Sequence, residues 1–221
     1  MKLLLTSAGV CNAALRDALD RLLPRPLEQC RALAIPTASY GSSYGSPEGA
    51  WRFVSGEQTS IPMTALGWAS VGLLELTALP DIAPERWTPW VQEADVLLVN
   101  GGDAAYLAHW VRRSGLGELL PSLPDKVWVG FSAGSMVLTP RLGPEFVTWP
   151  SAPDDRGLGI VDFSIFPHVD HPDLPENTMA EAERWAAGLG VPAYAIDDDT
   201  ALVVVDDAVE VVSEGTWRHF A

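Results

Sequence analysis

Gly130-Phe131-Ser132-Ala133-Gly134 spells G-x-S-x-G, with the apolar run 127–129 before it and a helix-compatible run after it. In that setting the pattern makes a sharp strand-to-helix turn and holds the serine hydroxyl out at the strand's C-terminal end. Ser132 is therefore a candidate nucleophile. The N–H of Ala133, at the start of the next helix, is a candidate donor to a developing oxyanion. The plain structural alternative is a glycine-rich turn whose serine only caps the helix.

A serine nucleophile needs a base, and the chain has four histidines. His109 lies beside Trp110 in a helical stretch and reads as a packing or surface residue. His168 and His171 follow an apolar run, in Phe166-Pro167-His168-Val169-Asp170-His171. Strand ends are where loop-borne catalytic groups gather in open parallel sheets. His219, in Trp217-Arg218-His219-Phe220, reads as part of a frayed terminus. Two triads are open. One runs Ser132, an intervening Asp, then His219, in α/β-hydrolase order. The other pairs Ser132 and His168 with an acid from Asp197-Asp198-Asp199. Geometry and not chain order defines a triad, so both are chemically legal.

A second oxyanion donor is expected from Asn100-Gly101-Gly102-Asp103, a glycine pair between strand and helix. The same turn could cradle a phosphate, but the dinucleotide fingerprint and the P-loop lysine are missing. His168, Asp170, His171 and Asp173 are crowded like metal ligands. Their spacing matches no standard zinc motif, and Pro172 breaks a helical pairing, so neither metal nor cofactor is expected.

These groups need a scaffold that brings strand ends together. Residues 2–6, 32–35, 71–76, 95–99 and 127–130 read as near-continuous apolar strands. Residues 12–23, 104–113 and 133–138 have helical spacing between them. Strands alternating with helices predict a mostly parallel sheet covered on both faces. Beyond it, 160–166 reads as a strand and 176–189 as a helix. Residues 193–196, 201–205 and 208–212 follow, with Asp206-Asp207 as a hairpin turn, and predict antiparallel strands at one sheet edge. Residues 37–59, rich in Gly, Ser and Tyr, read as an irregular stretch. Such a stretch is either a surface excursion, an unrecognised helix or a loop over a site.

Fourteen basic against 29 acidic residues give a net charge of −15, which disfavours a nucleic-acid groove or an anionic membrane surface. Hydrophobic residues at 48 % place the 221-residue chain among globular proteins, and one domain is expected. The N-terminal apolar run stops at Thr6, too short for a signal peptide, so a cytoplasmic protein is the default. Two cysteines, Cys11 and Cys30, suit free thiols better than a disulfide framework. Nine tryptophans could line a core, a pocket or a homodimer surface.

The ordered set Asn100-Gly101-Gly102-Asp103, Gly130-Phe131-Ser132-Ala133-Gly134, Phe166-Pro167-His168 and Ala195-Ile196-Asp197-Asp198-Asp199-Thr200-Ala201-Leu202 resembles the dipeptidase E (α-aspartyl dipeptidase) family of serine peptidases. The resemblance spans nearly the whole chain. It implies an α/β, flavodoxin-like fold of the class I glutamine amidotransferase type, and a short peptide as substrate. It also implies Ser132 as nucleophile, His168 as general base, Asp198 as third member where the family usually has Glu, and oxyanion donors at Gly101, Gly102 and Ala133. The family's aspartyl-specific members carry a substrate-binding arginine after the histidine. Here that position falls near Met179, with Arg184 about a turn further on, and Asp103 stands where Asn is common. Serine hydrolysis of short peptides is thus expected without a clear Asp-X preference. An esterase or amidase using His219, and a non-catalytic flavodoxin-like binding protein, are the alternatives.

Overall fold

The computed structural model describes residues 1–43, 45–58 and 63–221. Five parallel strands form the centre: β1 (Lys2–Thr6), β2 (Arg31–Ile35), β3 (Ser70–Leu73), β4 (Val96–Val99) and β5 (Val127–Phe131). Their order is β3-β2-β4-β5-β1, and β8 (Thr200–Val205) and β9 (Ala208–Ser213) extend the sheet antiparallel beyond β1. Register aligns Leu5 with Gly130 and Val99 with Gly130, so β1, β4 and β5 end side by side. That shared carboxyl edge is where a parallel sheet gathers chemistry. The fold is the flavodoxin-like, mostly parallel α/β arrangement.

Strand alternation sorts the core onto two faces. Leu3 and Leu5 point into one cluster with α3 (Pro84–Glu93) and α4 (Ala104–Arg113). Leu4 points into the other with α1 (Ala13–Leu22) and Phe53 of α2 (Pro47–Ser55). In α1, Leu15, Ala18, Leu19 and Leu22 recur at helical spacing, and Asn12 caps the start by accepting the Leu15 N–H.

In the last third, β8 and β9 form the expected antiparallel edge, but the segment 193–196 does not join it. β7 (Ala193–Ile196) leaves the main sheet. It pairs parallel with β6 (Ser164–Phe166) and antiparallel with β10 (Trp217–Phe220) in a separate three-stranded sheet. The chain end is therefore a paired strand and not a frayed tail. Phe166, Ala193 and Ala195 pack on α7 (Met179–Leu189) through Ala182, Trp185 and Leu189. Ile165 and Ile196 face the other way, into the main core.

Other boundaries also shift. Residues 160–163 are not strand, because the N–H groups of Ile160 and Val161 turn to Leu138 O. Leu76 belongs to a 3-10 turn after β3, and α6 (Ala133–Met136) is shorter than 133–138. Among the described residues of the stretch 37–59, a 3-10 helix covers Thr37–Gly41, and α2 follows with Ser46 as N-cap, Pro47 in its first turn and Gly56 closing it at φ 78°. Tyr44 and Thr59 of that stretch lie outside the described residues. Among the described residues, α5 (Leu116–Leu119) completes the α-helices, and no helix is long and apolar enough to cross a membrane.

Candidate active site

Ser132 follows β5 at φ 49° and ψ −111°, a left-handed conformation costly for a residue with a Cβ. Neighbouring groups hold it there. Its N–H donates to Thr6 O at 3.0 Å. Ser135 Oγ donates to Thr6 O at 2.8 Å and accepts the Thr6 N–H at 2.9 Å. Both glycines of the motif are forced by close approach: a Cβ on Gly130 would stand 2.5 Å from Gly134 O, and one on Gly134 2.2 Å from Val99 O. The turn therefore folds only with hydrogen at both positions.

His168 follows β6 at φ 57°. Its N–H donates to Ser7 Oγ at 3.0 Å, and Ser7 Oγ donates in turn to Ile196 O at 3.0 Å. One buried hydroxyl thus ties the ends of β1, β6 and β7 together. The imidazole Nδ1 lies 2.7 Å from Asp198 Oδ1. A carboxylate only accepts, so the proton sits on Nδ1 and Nε2 carries the lone pair. Phe131 packs edge-on against this ring at 6.0 Å.

The three aspartates of the acidic turn have separate partners. Asp197 accepts from the Asp199 N–H, the Thr200 hydroxyl and the Thr216 N–H. Asp199 accepts from the Asn12 amide. Asp198 alone meets imidazoles, with Oδ2 lying 3.4 Å from His171 Nε2.

Ser132 and His168 line one cleft of about 780 Å³. Asn100, Gly101 and Gly102 form part of its wall, and Ser39, Ser42, Ser46 and Gln58 bring in the stretch 37–58. The Gly101 N–H donates to Asn100 Oδ1 at 2.9 Å, and Asn100 Nδ2 donates to Ser39 Oγ at 2.9 Å. Among the described residues, the N–H groups of Gly102 and Ala133 have no acceptor. Gly102 has φ 142°, and a Cβ there would lie 2.1 Å from Ala38 O. The carboxylates on the cleft wall are Glu145, Asp173 and Glu176; the described lining holds no Lys or Arg.

The family model described as Peptidase family S51 matches residues 3–212. The chain belongs to peptidase family S51. It is a serine peptidase. A candidate peptidase E protein from Listeria monocytogenes EGD-e has the same fold, with a TM-score of 0.72, 18 % identity, and 97 % of this chain and 98 % of that one covered. A peptidase from an acI-B1 actinobacterium superposes with a TM-score of 0.70 at 22 % identity, over 98 % of this chain and 88 % of that one. No curated protein matches the chain.

Within this S51 chain, three residues expected at the substrate lie off the cleft wall. Asp103 is buried: it caps α4 through the Tyr106 N–H, and its Oδ2 accepts from Thr148 N–H, Thr148 Oγ1 and Trp149 N–H. It is a structural hub, fully used by its own loops. Met179 opens α7 and packs against the Phe166–Trp185 cluster. Arg184 is exposed and paired with Glu181. His219 stacks on Tyr194 at 4.5 Å within the small sheet, and His109 packs against Trp110 and Trp149. Neither lines the cleft with Ser132. Among the described residues, no three His, Cys, Asp or Glu side chains converge as a metal site requires. Sequence reasoning missed Ser7, the Asn100–Ser39 link and the contact of His171 with Asp198. Ser7-Ala8-Gly9 marks only a strand end, and nothing local in it signals a bond to a residue 161 positions away.

Proposed function

We propose that the chain is an exopeptidase of short peptides that works through Ser132, His168 and Asp198. The observation that carries the reading is the 2.7 Å contact of Asp198 Oδ1 with Nδ1 of His168, a ring that lines the same cleft as the strained Ser132. His168 Nε2 takes the Ser132 proton as Oγ attacks the scissile carbonyl, and Asp198 stabilises the imidazolium that forms. The N–H groups of Gly102 and Ala133 receive the oxyanion. Gly101 is excluded from that role because its own N–H is spent on Asn100. His168 then protonates the leaving amine, and later activates the water that hydrolyses the acyl-enzyme.

Charge on the wall supports a substrate class. Glu145, Asp173 and Glu176 repel a carboxylate side chain and attract the free ammonium of a short peptide. Asp-X dipeptides are therefore poorer substrates than Ala-X, Met-X or Gly-X. The wall to which Ser39, Ser42, Gly45, Ser46, Gly49 and Gln58 contribute limits the length that fits. The test is a dipeptide and tripeptide panel, run on the wild type and on Ser132→Ala. Cleavage of neutral peptides, abolished by Ser132→Ala, is the expected result. Cleavage confined to Asp-X overturns the charge argument, and full activity in Ser132→Ala overturns the nucleophile. Shortening the stretch 47–55 admits longer peptides; an unchanged length preference refutes the wall.

A further inference from the structure

Asp198 has two imidazole partners, and the reading above uses only one. His171 Nε2 lies 3.4 Å from Asp198 Oδ2, while His168 Nδ1 takes Oδ1 at 2.7 Å. His171 is itself oriented: the Asp173 N–H donates to His171 Nδ1 at 3.0 Å. An N–H meets a lone pair, so the neutral ring carries its proton on Nε2, the nitrogen that faces Asp198. The result is a row of contacts in which the Asp173 amide orients His171, His171 stands against Asp198, and Asp198 bonds His168.

We infer that His171 is a positioning residue, which acts on the reaction through Asp198 and never touches substrate. The inference rests on the triad reading. The Asp198 side chain is 30 % exposed, so a partner on one oxygen alone would leave the carboxylate free to turn toward water. The His171 ring stands 3.4 Å from the second oxygen, longer than the 2.7 Å hydrogen bond to His168, and its bulk and polar edge restrict that rotation and favour Oδ1 on His168. The need is specific to this turn. Aspartate has one methylene fewer than glutamate, so it reaches His168 over a narrow range of side-chain torsions. The same turn carries two further carboxylates, Asp197 and Asp199, and their repulsion works against a fixed position for the third. Two strained residues, His168 at φ 57° and Asp170 at φ 56°, bend the segment so that both rings face one carboxylate. Their ring centroids are 6.0 Å apart at 83°, an edge contact that makes the two rings one unit.

The test is a cycle of His171→Ala and Asp198→Asn, with His171→Gln as the conservative variant. Dipeptide hydrolysis gives kcat and KM. The rate of Ser132 labelling by a fluorophosphonate serves where turnover is slow. In His171→Ala, kcat falls roughly ten-fold with KM unchanged, the usual loss when an outer partner of a reacting group is removed. His171→Gln recovers most of it, because an amide both accepts the Asp173 N–H and donates to Asp198. In the Asp198→Asn background, His171→Ala costs nothing more, since the residue through which it acts has already lost its charge. The low-field Nδ1 proton of His168 broadens or moves upfield in His171→Ala by NMR. A wild-type kcat in His171→Ala, or the same ten-fold loss in both backgrounds, overturns the inference. Wild-type labelling in Asp198→Asn overturns the triad reading instead, so the two failures are distinct. His171→Phe, which keeps the ring without its nitrogens, replaces His171→Ala in the cycle if that variant does not fold.

Discussion

Ser7→Ala removes one oxygen atom from a residue with no exposed surface. That oxygen accepts the His168 N–H and donates to Ile196 O, both at 3.0 Å. The two losses are unequal. Ile196 O also accepts the Val169 N–H at 3.1 Å and stays satisfied. The His168 N–H has no second acceptor among the described residues. The variant therefore costs one net hydrogen bond plus one stranded donor, about 2 kcal/mol in total. For a domain of this length that is a fall in Tm of roughly 4–8 °C. The kinetic effect is larger in proportion. His168 holds a left-handed backbone conformation, and the Ser7 bond is one of the contacts that keep it there. With His168 as the proposed base, a shift of about 1 Å costs on the order of 100-fold in rate, so kcat falls by about that factor with KM little changed. Ser164→Ala is the control. It deletes one buried bond, Ser164 Oγ to Arg141 O at 2.6 Å, in β6, the strand that leads to His168, and away from the cleft. It loses about 1 kcal/mol and keeps kcat. Calorimetry and steady-state hydrolysis read both variants. A Ser7→Ala enzyme that melts early but turns over at the wild-type rate would refute the claim that this hydroxyl places the base.

Gly134→Ala puts a Cβ 2.2 Å from the Val99 carbonyl, backbone against backbone, and expression with circular dichroism should show an unfolded or strongly destabilised chain. Asp103→Asn turns an amide toward the three donors at Thr148 and Trp149, strands at least one of them, and lowers stability by about 2–4 kcal/mol in urea unfolding. The Cys11 thiol is pushed up to about 11, first by burial and then by the charge of Asp199. A raised pKa leaves the thiolate scarce until the pH climbs toward it. Iodoacetamide labelling in a Cys30→Ser background should therefore be slow at pH 8 and gain about ten-fold per pH unit up to pH 10. A rate already level at pH 8.5 contradicts this.

The parallel sheet and the elbow were readable because both depend on local signals. Leu3, Leu4 and Leu5 are apolar in succession because both faces of β1 are covered. The glycines of the elbow are dictated by contacts within five residues and at the neighbouring strand end. Helix α4 was readable to the residue, since Asp103 is a good N-cap and the apolar spacing is regular. The small sheet was not, because β7 is four residues long and reads the same whether it borders β8 or β6. Helix α2 was hidden by glycine and serine, which lower helix propensity, although Ser46-Pro47 and Gly56 bracket it as caps. α3 escaped notice because Pro84 and Pro89 both lie in it. In the site, Asp103 looked like a pocket residue because it follows the Gly-Gly turn. Only the folded loop 147–149 shows that its carboxylate is occupied. Asp197 likewise takes one partner from Thr216, and Asp199 takes Asn12, both outside the turn itself.

Ser132 sits on the seven-stranded sheet, whereas His168 and Asp198 hang from the ends of β6 and β7 in the three-stranded one. Apolar contact through Ile165 and Ile196, and the Ser7 hydroxyl, register one sheet against the other. Under the proposed triad, hydrolysis reports the docking of the two sheets, while ellipticity reports the integrity of each. Sub-structures can open at lower free energy than the core of either. On heating, the inactivation midpoint should precede the loss of secondary structure, and cooling should restore activity as long as neither sheet has melted.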